Sequence, residues 1–122
     1  VRAEAGVGWD AFVDWTLGSG LAAQLRARDI PLLPGAAGLA AQGHVTGASG
    51  RNWAGYGQHV KLGNVDDTMK ALLTDPQTSG GLLVACAPGA VDDVLGVFRA
   101  EGFDSAAVIG ELTAGRGISV KG

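Results

Sequence analysis

The middle of the chain changes abruptly from a helical pattern to a polar loop and then to an apolar run. The acidic pair Asp66–Asp67 predicts a helix that extends to about Leu73, because carboxylates favour the first turn of a helix. Residues 75–81 form a polar, glycine-containing loop, and Leu82–Cys86 has the composition of a strand. A helix, a loop and a strand in this order predict a layered fold in which helices cover a sheet.

The flanking segments continue the alternation of strands and helices. Apolar and polar residues alternate between Ala23 and Arg28, which predicts a half-buried strand, and Pro34–Gly35 opens a short helix that extends to about Gln42. An apolar stripe at helical spacing predicts a further helix over 90–101, followed by Gly102 as a cap. The remaining predicted strands are 106–112 and 118–120, joined by a turn at 115–117.

Two segments are harder to assign. Residues 43–57 contain several glycines and polar residues, so we expect a loop there. In residues 1–20, the spacing of Trp9, Phe12 and Trp15 indicates one face of a short helix, which Gly18–Ser19–Gly20 would break. We expect residues 1–20 to be an atypical N-terminal segment or linker, peripheral to a domain formed by residues 21–122.

Composition excludes several classes of protein. The 122 residues allow one domain with a modest core, and their formal net charge of −3 with scattered basic residues leaves no patch for nucleic acid. A single cysteine, Cys86, excludes an internal disulfide framework. No apolar stretch approaches the roughly 20 residues that span a bilayer, and residues 1–20 lack the apolar region of a signal peptide. We therefore expect a cytoplasmic protein without a membrane partner.

The loop at 75–81 is the strongest candidate site. Its members are Asp75, Pro76, Gln77, Thr78, Ser79, Gly80 and Gly81. Hydroxyl and amide side chains supply donors and acceptors, and the two glycines let the backbone approach a ligand closely. Successive free N–H groups in such a loop can form an anion-binding nest. The alternative is a structural turn in which Asp75 and Thr78 bond to their own backbone.

Few other residues suggest chemistry. Arg51 and Asn52 would place a guanidinium and an amide beside a phosphate, although an arginine that only packs over Trp53 is an equal alternative. The two histidines, His44 and His59, lack further ligands at the spacing of a zinc site. We therefore predict no catalytic residue and no metal ligand in this chain.

Four segments together resemble a known family. The string DPQTSGGLL at 75–83 is similar to the signature of the C-terminal domain of selenophosphate synthetases (selenide, water dikinases). Residues 29–35 (DIPLLPG), 46–57 and 108–112 (VIGEL) resemble further segments of that domain, in the same order and spacing. The resemblance implies an α/β or α+β sandwich, in which helices cover a small mixed sheet, of the aminoimidazole-ribonucleotide-synthetase type.

The resemblance also implies a function. Complete enzymes of the family use ATP and magnesium to convert selenide to selenophosphate, and their reactive Cys, Lys and metal-binding aspartates belong to an N-terminal ATP-binding domain. No segment of this chain matches those residues, and residues 1–20 do not match the usual opening of the C-terminal domain. We expect a C-terminal domain, truncated or standing alone, that binds no cofactor and is inactive by itself.

In that case the loop members Asp75, Gln77, Thr78, Ser79, Gly80 and Gly81 would face the N-terminal domain, with Arg51 and Asn52 as weaker candidates. Two alternatives stay open: a catalytically silent module that binds an anion or a partner protein, and one half of a related ATP-dependent synthetase. A homodimer is also open.

Overall fold

The structure is a computed structural model that describes residues 2–3, 9–76 and 81–122. Its helices are α1 (Trp9–Ser19), α2 (Ala36–Ala41), α3 (Gly47–Tyr56), α4 (Asp67–Leu73) and α5 (Val91–Ala100). Its strands are β1 (Arg2–Ala3), β2 (Leu21–Arg26), β3 (Val60–Leu62), β4 (Leu83–Val84), β5 (Gly110–Ala114) and β6 (Gly117–Lys121). None of the described helices is long and apolar enough to cross a bilayer.

Four strands form a mixed sheet in the order β3-β6-β2-β5. Strand β2 runs antiparallel to β5 and parallel to β6, and β6 runs parallel to β3. Strands β1 and β4 make a separate antiparallel pair. Helix α1 packs against β2 and β6, and the helices α2 and α4 pack against each other. The expected fold class, a small mixed sheet combined with helices, is confirmed.

The core lies on one face of this sheet. In β2 and the residue after it, Ala23, Leu25 and Ala27 are buried while Gln24 is exposed, which confirms the predicted alternation. Ile118 and Val120 of the neighbouring strand β6 point to the same buried face. Because side chains alternate between the two faces of a strand, this register fixes which face the helices cover.

Helix α1 belongs to this core. The predicted N-terminal helix is confirmed, but Phe12 and Val13 are buried in the main apolar cluster, and Thr16 is buried with its hydroxyl donating to the Phe12 carbonyl at 2.9 Å. The prediction that residues 1–20 are peripheral is therefore wrong for residues 12–16 of α1. The placement of a domain boundary at residue 21 stays a prediction.

Helix α3 replaces the loop predicted at 43–57. The glycines of this segment lower its intrinsic helix propensity, but Trp53 and Tyr56 pack against the core, and tertiary packing overrides propensity. Gly57 explains part of the composition: a Cβ there would lie 2.7 Å from Cε2 of Trp53. The glycine therefore makes room for the indole ring rather than marking a loop.

The C-terminal half follows the predictions with shifted boundaries. The helix expected at 90–101 is α5, and the turn expected at 115–117 joins β5 to β6. The strand expected at 106–112 begins later, at Gly110, and the run expected at Leu82–Cys86 is a strand only at Leu83–Val84. Gly110 is required by a close approach, since a Cβ there would lie 2.2 Å from the carbonyl oxygen of Gln24.

Candidate functional site

The candidate loop begins at the end of helix α4. Asp66 precedes the helix and accepts a hydrogen bond from the backbone N–H of Met69 at 2.7 Å, so the predicted acidic cap is confirmed. At the other end, the Thr74 hydroxyl donates to the Lys70 carbonyl at 2.9 Å and is buried. Asp75 and Pro76 follow at once. The C-terminus of α4 therefore fixes where the loop starts.

Of the loop residues, the structure describes Asp75, Pro76 and Gly81. Asp75 and Gly81 are half-buried and Pro76 is exposed. Gln77, Thr78, Ser79 and Gly80 lie outside the described residues, so the roles predicted for them stay predictions.

The N-terminus of helix α3 lies beside the start of the loop. Thr46 precedes this helix, and its hydroxyl donates to a carboxylate oxygen of Asp75 at 3.5 Å. The same hydroxyl lies 3.3 Å from the Ser49 hydroxyl, which is buried. Two segments that are 29 residues apart in the sequence therefore meet through polar side chains at one place.

Arg51 is placed at the same end of the helix. Its side chain is exposed and extends back toward the first turn of α3, so that a Cβ on Gly47 would lie 3.9 Å from its Nη1 atom. Helical side chains lean toward the N-terminus in this way. The guanidinium thereby adds a full positive charge to the positive end of the α3 dipole.

Asn52 contacts the residue that precedes the loop, through a hydrogen bond from its side chain to the backbone of Thr74. Its Nδ2 donates to the Thr74 carbonyl at 2.8 Å, and the Asn52 side chain is half-buried. Next to it, the ring of Trp53 lies under the ammonium of Lys70, with 4.4 Å between Nζ and the ring centroid. The cation over Trp53 is therefore Lys70, whereas the alternative interpretation of the sequence places Arg51 over this ring.

Sequence reasoning missed three residues of this arrangement. Thr46 was recognised only as part of a motif, although a threonine before a helix is a typical N-cap residue and would have indicated α3. Thr74 and Lys70 gave no such signal, because their contacts depend on how α3 and α4 pack. The histidines are not part of the site: His44 and His59 are both exposed, and His59 contacts Gln58 at 3.3 Å.

The described part of the chain contains no group of three His, Cys, Asp or Glu residues that could hold a metal ion. At the junction of α3 with the loop, Asp75 supplies a single carboxylate. One carboxylate does not make a magnesium site without further oxygen ligands, because magnesium requires near-octahedral coordination. The groups at the junction that can attract an anion are instead the N–H groups at the start of α3 and the Arg51 guanidinium.

Several curated proteins with similar sequences share one name. Selenide, water dikinase of Paraburkholderia xenovorans (strain LB400) is 57% identical over 101 residues, which cover 82% of this chain and 28% of that protein. The protein of the same name from Burkholderia pseudomallei (strain K96243) is 60% identical over 99 residues, covering 80% of this chain and 28% of its own length. That of Dechloromonas aromatica (strain RCB) is 50% identical over 105 residues, covering 84% and 30%.

The chain thus spans less than a third of the length of these relatives, and the matched region is their C-terminal part. A family model described as "AIR synthase related protein, C-terminal domain" matches residues 17–122. This match includes the whole four-stranded sheet, helices α2 to α5 and the candidate loop. The chain belongs to the AIR synthase related family, in which it corresponds to the C-terminal domain.

Proposed function

We propose that this chain forms the C-terminal domain of a selenide, water dikinase, an enzyme that transfers phosphate from ATP to selenide. The observation that carries the proposal is the identity of 57–60% to two proteins of that name, over a region that contains the loop at 75–81. Similarity at that level, over four-fifths of the chain, supports the same chemistry rather than the fold alone. The proposal extends to the partner, which is an N-terminal ATP-binding domain.

Within that enzyme, we propose that the junction of α3 and the loop forms one wall of the phosphate-handling cleft. Arg51, the first N–H groups of α3, and the hydroxyls and N–H groups at Thr78–Gly81 would bind phosphate oxygens. Asp75 would orient the loop by accepting a hydrogen bond from the Thr46 hydroxyl at 3.5 Å. The described residues do not complete a magnesium site, so ATP and magnesium would be held mainly by the N-terminal domain.

A domain replacement tests the function. Residues 22–122 of this chain would replace the matching region of the Paraburkholderia xenovorans enzyme, and selenide-dependent formation of AMP from ATP would be measured. We expect activity within about tenfold of the parent enzyme, since a 1.4 kcal/mol change in barrier height corresponds to a factor of ten. The 122-residue chain alone should form no AMP above a blank without protein.

The control is the same chimera with Gly80→Val, which should fold and lose turnover if the loop approaches the phosphate closely. A folded chimera without activity, in which the parent sequence at 75–81 also fails to restore turnover, would contradict the proposed function. It would favour the alternative of a catalytically silent module that keeps the fold.

A further inference from the structure

Two neighbouring residues of α3 contact one face of α4. Asn52 bonds to the Thr74 carbonyl at 2.8 Å, and the Trp53 ring lies 4.4 Å below the Lys70 ammonium. Lys70 and Thr74 are four residues apart, so they lie one turn apart on the same side of the helix and its cap. The two contacts therefore hold the last turn of α4 at two points.

The acceptor in the first contact is a group that the helix itself leaves unpaired. Thr74 caps α4 with φ −99° and ψ 2°, and its own N–H and hydroxyl both donate to the Lys70 carbonyl. The carbonyls of the last turn and the cap residue lack partners inside a helix. Asn52 supplies the partner for the Thr74 carbonyl. The backbone of Asn52 is itself held within helix α3.

This carbonyl belongs to the peptide bond that leads into Asp75. Fixing it fixes the plane of that peptide, and with it the direction in which the chain enters the loop. The amide also covers a carbonyl oxygen at the negative end of the α4 dipole, which would otherwise repel an anion bound at the loop. Both effects act on the loop, and neither requires Asn52 to contact a ligand.

We infer that Asn52 is a positioning residue, which holds the entrance of the loop 75–81 through the Thr74 carbonyl. The inference rests on the proposed function only for its consequence in catalysis; the mechanical role concerns this chain alone. Asn52 thereby differs from Arg51, its neighbour in the sequence, whose exposed guanidinium is free to approach a phosphate.

Amide hydrogen exchange of the 122-residue chain tests the mechanical role without any ligand. Asn52→Ala should make the amide of Thr74, which donates to the Lys70 carbonyl at 3.1 Å, exchange about tenfold faster, because the end of α4 at the loop entrance opens more often. The amides of Leu25 and Val120 in the sheet should keep their rates. Asn64→Ala is the matched control, since it removes an exposed asparagine, and it should leave the exchange rates of all three amides unchanged.

Two further variants keep the test decisive. Asn52→Asp keeps the size of the side chain and removes the donor, and should behave as Asn52→Ala does; Asn52→Gln retains an amide and should recover part of the protection. Equal exchange of the Thr74 amide in wild type and Asn52→Ala would overturn the inference. So would an equal rise in exchange at Val120, or failure of all three variants to fold, because Asn52 would then support the whole domain.

The chimera described above tests the consequence for catalysis. Asn52→Ala, which adds no charge, should lower kcat by about tenfold or more while the KM for ATP changes little, because the loop would be misplaced and not removed. If the unsubstituted chimera folds but is inactive, and the parent sequence at 75–81 does not restore turnover, the proposed function fails, while the exchange experiment still decides the role of Asn52. If exchange responds and kcat does not, the positioning role in the reaction is wrong.

Discussion

Two regions of the molecule are held together in different ways. The first is the four-stranded sheet with α1, and the second is the junction of α3 with the loop, together with α4. In the first region, Val13 and Val120 are at most 1% exposed, and the backbones at Gly110 and Gln24 approach so closely that no side chain fits. In the second, no residue of α4 is buried, and the buried residues beside it, Ser49 and Thr74, are polar. Its contacts include the hydrogen bond from Asn52 to the Thr74 carbonyl and the cation–π pair of Lys70 with Trp53.

The difference agrees with the proposed function, in which the sheet region stabilises the fold and the junction handles phosphate. Burial of apolar side chains supplies most of the free energy of folding, and the fully buried apolar side chains of the described residues lie mainly in the sheet and α1. The junction contributes fewer buried groups but places a guanidinium, hydroxyls and a carboxylate around the start of one loop. Binding residues on loops beside a rigid scaffold are a common arrangement, because the scaffold tolerates the loss of packing at the site.

The largest effect should come from the closest backbone approach in the sheet. Gly110→Val would drive its side chain into the carbonyl of Gln24, and we expect a loss of more than about 4 kcal/mol, enough to unfold the domain. Circular dichroism with urea denaturation measures it. Gly96→Ala in α5 is the control: no atom lies within 4 Å of its Cβ position, so the domain should gain up to about 1 kcal/mol.

A smaller loss should follow substitution in α1. Val13→Ala removes two methyl groups from a site with no exposure, and we expect a loss of about 2 kcal/mol. Val97→Ala, at a valine that is 64% exposed, should change stability by less than about 0.5 kcal/mol. Deletion of residues 1–20 should abolish the cooperative thermal transition. If that deletion leaves the transition intact, α1 is not part of the stability core.

The sequence predicted the elements whose signals are local. The alternation around Ala23 and Leu25 marks β2, the acidic pair at Asp66–Asp67 marks α4, and the apolar stripe marks α5, because each pattern follows directly from strand or helix geometry. Strand β3 was missed because its three residues are too short to show a period. Helix α3 was missed because its glycines suit a loop, and only its packing stabilises it.

The candidate site was predicted in part for the same reason. Residue types and the family resemblance pointed to Asp75, Arg51 and Asn52. The structure places contacts of Asp75 and Asn52 where α3 meets the loop, and the role of all three as a binding site stays a prediction. What the chain could not reveal is which atoms meet. Asn52 was expected to bind phosphate as a side chain, whereas its amide donates to the Thr74 carbonyl, and that contact depends on how two helices pack.

A moderate effect is expected at the N-terminus of α4. Asp66→Ala removes the carboxylate that accepts from the N–H of Met69, and we expect a loss of about 1 kcal/mol. Asp67→Ala is the matched control, because this exposed carboxylate acts only through the helix dipole, and its loss should be about 0.3–0.5 kcal/mol. Equal losses in urea denaturation would show that charge, and not the hydrogen bond, stabilises this end of α4.

The smallest effect on stability is expected in the loop itself. Thr78→Ala and Ser79→Ala should each change the free energy of unfolding by less than about 0.5 kcal/mol, because a binding loop contributes its side chains to a ligand and not to the core. In the active chimera the same substitutions should lower turnover at an unchanged melting temperature. Unfolding of the domain by both substitutions, with specific activity per folded molecule preserved, would make the loop a structural turn. The loop would then stabilise the fold, as the sheet does, and would not belong to a binding site.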